Sequence, residues 1–175
     1  MSGKTTFTKE ALRRLGSFYV IDVTTHGEYT DLAPVVEGTV SLSQFSVEEL
    51  AKLYLIAMAS VVGEEEKAAF TGVQLGALRR FSSKLSDLPA LIEAISMAAD
   101  LPEMTRQVLI SKLSNFCESY DEYTCVPYKS LTKPLGLPPT PAVIHIDPRN
   151  PAVAAFVTHA VVINSSNAQR PSLRT

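Results

Sequence analysis

Tryptophan is absent from this chain, histidine occurs three times and cysteine only twice, at Cys117 and Cys125. Two cysteines are too few for a disulfide framework, so buried or idle thiols in a reducing compartment are expected. No run of about 18 uninterrupted apolar residues occurs, so no membrane-spanning helix is predicted. Residues 1–14 lack the apolar stretch that a secretory signal needs. Together these absences set the expected location as the cytoplasm, or a virion if the protein is viral, with no membrane partner. Charged residues are slightly scarce at 19 %, whereas the 46 % hydrophobic content is that of an ordinary globular protein, which excludes disorder over the whole length. At 175 residues the chain is long enough to bury a core without a staple.

What charge there is lies unevenly. Residues 1–16 carry +3, residues 17–66 carry −8 and residues 67–175 carry +3, for a net charge of −2. Such segregation suits contact between complementary surfaces of neighbouring subunits.

The apolar pattern predicts an α+β domain over residues 1–163 with a polar tail at 164–175. Thr8 caps a short helix that Gly16 stops. Residues 18–23 and 35–42 read as strands, with Gly38 as a bulge. A central run of about four helices fills roughly 46–120, and the helical centre as a whole 46–121. Ser46 and Glu49 form a capping box at its start, ahead of an inward stripe of Leu50, Leu53, Tyr54, Ala57, Met58 and Val61. A second helix from Glu64 carries Phe70, Val73, Ala77, Leu78, Phe81 and Leu85 inward. The last one runs from Glu103 to about Tyr120. A proline-rich connector follows at 126–141, and a C-terminal hairpin at 142–163 turns at Asp147–Pro148–Arg149–Asn150–Pro151. The terminal strands are expected to pair across the helical centre.

No catalytic, metal or nucleotide motif is complete. Gly3–Lys4–Thr5–Thr6 resembles the end of a phosphate-binding loop but has no strand ahead of it. His145 and Asp147 share one face of a predicted strand, and His159 lies on the next, a spacing that permits a metal or acid/base site without specifying one. His26 and Asp31 in the first loop are a second possible centre. No cofactor is expected. The candidate footprint for nucleic acid is basic: Arg13, Arg14, Arg79, Arg80, Lys84, Arg170 and Arg174. A sequence pI near 5.9 is low for a nucleic-acid binder, so contact with RNA would be weak and shared across subunits.

The expected function is therefore that of a non-enzymatic structural or assembly protein acting by self-association as a homo-oligomer, such as a small viral coat, nucleocapsid or packaging subunit. The alternatives are an enzyme with a cryptic site around His145, Asp147 and His159, and a protein-binding adaptor with a groove between helices.

Overall fold

In the computed structural model, which describes residues 3–63, 65–121 and 124–168, the chain opens with a helix, α1 (Gly3–Leu15). It starts ahead of the predicted cap: Thr8 lies inside the helix, its hydroxyl donating to the Lys4 carbonyl at 3.0 Å. Gly16 ends it at φ +72°, a left-handed conformation that costs glycine nothing. Two strands follow, β1 (Tyr19–Asp22) and a shorter β2 (Val35–Glu37).

The helical centre comprises α2 (Val47–Val62), α3 (Glu65–Ala68), α4 (Gly72–Arg80), α5 (Leu88–Ser96) and α6 (Glu103–Ser114). Ser46 and Glu49 form the predicted capping box of α2. The single helix expected from Glu64 onward is broken, because Thr71 and Gln74 form a capping box of their own and start α4 afresh. As a result Val73, expected inward, is exposed. The last central helix also stops short of Tyr120. Beyond it lies a hairpin, β3 (Cys117–Asp121) antiparallel to β4 (Thr124–Pro127). It is closed by a Cys117–Cys125 disulfide, with Cα atoms 5.4 Å apart, so these are not the free thiols expected.

The connector leads to β5 (Ala142–His145) and then to α7 (Pro151–Ala168). The predicted C-terminal hairpin is thus a strand followed by a helix, and α7 takes in the first residues assigned to the polar tail. Asn150 and Pro151, read as turn residues, instead start this helix. The Asn150 carboxamide oxygen accepts from the Val153 amide at 3.0 Å, and proline suits the first helical position.

The terminal strands do pair. They form a parallel sheet in the order β1–β5–β2, with the latest strand in the middle. The core lies mainly between α2 and α7, the most extensively packed pair. Phe156 of α7 is central to it, edge-on to Phe45 and Phe116 at centroid distances of 6.1 and 5.1 Å. α1 stands apart and makes only marginal contact with the other elements.

Candidate functional site

Because the sheet is parallel, all three strands end on one side. Asp22 of β1, His145 of β5 and Glu37 of β2 are register partners there, giving a carboxylate–imidazole–carboxylate row. Ligands of open parallel sheets bind beyond the carboxyl ends of the strands. A cleft of about 420 Å³ lies at this end, lined by Thr25, His26, Gly27, Thr30, Val35, Val36, Glu37 and His145.

Asp22 shapes the loop over the cleft. It is 1 % exposed and accepts from the Thr24 amide (2.9 Å), the Thr24 hydroxyl (2.6 Å) and the Tyr29 amide (3.0 Å). Burial works to raise its pKa. The hydrogen bonds from Thr24 and Tyr29, aided by the nearby His145, outweigh burial and hold the carboxyl below its ordinary value. His145 Nε2 is 3.2 Å from the Thr24 carbonyl oxygen. A carbonyl only accepts, so Nε2 carries a proton. On the other flank, Glu37 is paired with Lys129 at 3.1 Å.

The predicted constellation of His145, Asp147 and His159 does not assemble. Asp147 faces a separate, smaller cleft and is held by Arg149, whose side chain donates at 2.7 Å and keeps the carboxyl below its ordinary pKa. His159 lies in the middle of α7, where Nδ1 donates to the Ala155 carbonyl at 2.7 Å. The first-loop pair separates too. His26 lines the strand-end cleft, while Asp31 turns away to Lys9 (2.6 Å) and Arg13 (3.3 Å) of α1. Among the described residues no group of three or more His, Cys, Asp and Glu side chains could hold a metal ion. The row itself escaped sequence reading because it depends on strand order.

The basic footprint divides. Arg13 and Arg14 lie on α1, with Arg14 bonded to Glu10 at 3.3 Å. Arg79 pairs with Glu48 at 2.6 Å. Arg80 pairs with Asp100 and lies over the Phe81 ring, 5.0 Å from its centroid. Lys84 follows in a 3₁₀ turn and, with Lys4, has no ion pair among the described residues. Arg170 and Arg174 lie outside the described residues. The four described arginines of the footprint are thus engaged with carboxylates of the same chain, although exposed pairs of this kind are worth only about 0–1 kcal/mol and exchange readily.

Two buried lysines also escaped the sequence reading. Lys9 is held by Asp31, as above. Lys112 of α6 donates to the Ala69 carbonyl (2.5 Å) and to Gln74 Oε1 (3.0 Å), and its ammonium lies 4.8 Å from the centroid of the Phe70 ring. Burial lowers its pKa.

Among the described residues no helix is long and apolar enough to cross a membrane. The chain matches no protein-family model, no curated protein and no solved structure.

Proposed function

We propose that the protein is a non-enzymatic structural subunit that works by self-association, with α1 as the arm that reaches a neighbour. The observation that carries this is the outward face of α1. Thr5, Lys9 and Leu12, spaced i, i+4 and i+7, are its least exposed positions and turn toward the rest of the chain. Phe7, Ala11 and Leu15, spaced i, i+4 and i+8, face solvent, with Phe7 76 % and Leu15 69 % exposed. Lys4 and Arg14 fall on the same side. A helix of about this length is marginal alone in water and draws most of its stability from burying an apolar face. Among the described residues nothing covers that face.

Coat, nucleocapsid and packaging subunits, in cytoplasm or virion, work by such contacts, and weak RNA binding shared across an assembly belongs to the same proposal. Its support is the exposed Lys4, Lys84, Arg13, Arg14, Arg79 and Arg80. The test is native mass by light scattering after size exclusion, over a range of concentrations in low and high salt. The expected result is a mass above 19.0 kDa that falls as salt screens the contact. A 19.0 kDa species under every condition ends the reading. The ratio of absorbance at 260 and 280 nm of the same peak reports co-purifying nucleic acid.

The strand-end row favours a second reading, an enzyme or small-ligand binder with His145 as a proton carrier. In that case a small molecule that raises the melting temperature of the native chain should fail to do so for His145→Gln. A library screen in which no compound shifts the native chain ends it.

A further inference from the structure

An arm needs a receptor, and among the described residues a groove of matching chemistry lies beside α5. It runs between α5 and the disulfide-closed hairpin, has a volume of about 740 Å³, and is lined by Asp87, Pro89, Ala90, Glu93, Ser96, Met97, Thr124 and Cys125. Its floor is apolar, with Met97 left 73 % exposed. Methionine is unbranched and polarisable, and adapts to an incoming side chain. The two charged groups in the lining are both acidic. Asp87 already accepts from the Ala90 amide at 3.1 Å as the cap of α5. Glu93 has no ion pair among the described residues.

We infer that this groove receives α1 of a second copy of the chain, with Phe7 and Leu15 packing along Pro89, Ala90 and Met97, and with Lys4 and Arg14 facing Glu93 and Asp87. The inference rests on the self-association reading and names its acceptor site. Charge is the first argument: the exposed face of α1 is apolar and carries Lys4 and Arg14, the latter exchanging its intrahelical partner Glu10 for the groove, which is apolar and acidic. Length is the second. With a rise of 1.5 Å per residue, the stripe from Phe7 to Leu15 spans about 12 Å, as does α5 from Pro89 to Met97. The third is that the two faces of α1 are separate. Lys9 and Arg13 stay on Asp31 of their own chain while the opposite side docks, so no element has to be exchanged. Such a contact either runs head to tail, closing into a ring or extending as a filament, or is reciprocal in a two-fold dimer.

Three variants test this in the full chain by light scattering: Phe7→Asp on the arm, and Glu93→Lys and Met97→Asp in the groove. All three positions are exposed, and an unchanged far-UV spectrum and melting temperature confirm the fold. Each is expected to raise at least tenfold the concentration at which mass exceeds that of the monomer. Assembly that Phe7→Asp weakens but both groove variants leave intact overturns the groove while the self-association reading stands. Assembly indifferent to Phe7→Asp overturns the arm. A native chain that is monomeric throughout removes both.

Discussion

Asp22 shows what a buried carboxylate does in this molecule. Two backbone amides and a hydroxyl hold it, and through them it fixes the loop that covers the strand ends. Its folded pKa lies below the ordinary value of 3.8. The stability it contributes is therefore present above that value and lost as pH falls through the lower, folded one. Asparagine keeps the shape but offers one acceptor oxygen where the carboxylate uses two. Asp22→Asn is expected to cost about 2–3 kcal/mol at pH 7, the scale of leaving buried donors unsatisfied. It should also flatten the loss of stability as pH falls below about 4, because the group whose ionisation mattered is gone. Urea titrations of both chains across that range check this. Parallel curves at every pH would mean that the acid sensitivity comes from the exposed pairs at Asp31, Glu48, Asp100 and Asp147, whose partners also hold them below their ordinary values.

At the scale of elements, what could be read was local. Ser46 and Glu49 announce α2 because a capping box is made by residues three apart. Thr71 and Gln74 send the same signal for α4, and a continuous apolar stripe through residues 70–85 masks it. The region after residue 150 misleads for a different reason. Its β-branched residues Val153, Val157, Val161 and Ile163 have the composition of a strand. They lie in a helix packed along α2, which is apolar on most sides and so lacks the periodicity that marks a half-buried helix. The pairing of Cys117 with Cys125 depends on a hairpin that the helical reading of residues 103–120 excluded. Closing a loop of this size stabilises by about 2–3 kcal/mol in the chain-entropy view. The double variant Cys117→Ser/Cys125→Ser is expected to lose about that much by denaturant titration. In the native chain, neither cysteine should take up iodoacetamide until a dithiol is added. Gly38 makes a second element-scale point. Its amide donates to the His145 carbonyl at 2.7 Å, and a Cβ there would lie 2.5 Å from Ile146 Cγ1 and 3.2 Å from the His145 carbonyl oxygen. The glycine lets the chain leaving β2 pass against the end of β5. Gly38→Ala should cost about 1–3 kcal/mol as overpacking, measured as a lower melting temperature.

At the scale of the whole molecule, the segregation of charge along the sequence is partly consumed inside the fold. Lys9 and Arg13 of the basic start meet Asp31 of the acidic segment, and Arg79 and Lys129 of the last segment meet Glu48 and Glu37. Among the described residues the outward face of α1 and the acidic groove beside α5 are left over, and they are built from different parts of the chain. An arm and a groove made by different residues meet either head to tail or reciprocally, in a two-fold dimer where each arm enters the other subunit's groove. The reciprocal dimer stops at two copies of the native chain, whereas the head-to-tail contact closes into a ring or grows past two. In a head-to-tail assembly a chain lacking its arm keeps an intact groove, and a chain lacking its groove keeps an intact arm. Phe7→Asp and Glu93→Lys, each expected to be monomeric alone, should therefore form a one-to-one dimer when mixed. That dimer should grow no further, since the ends it leaves are the damaged arm and the damaged groove. Light scattering of the mixture should give twice the mass of 19.0 kDa at equal stoichiometry and nothing larger. A mixture that stays monomeric at concentrations where the native chain assembles would show that the two surfaces do not meet each other.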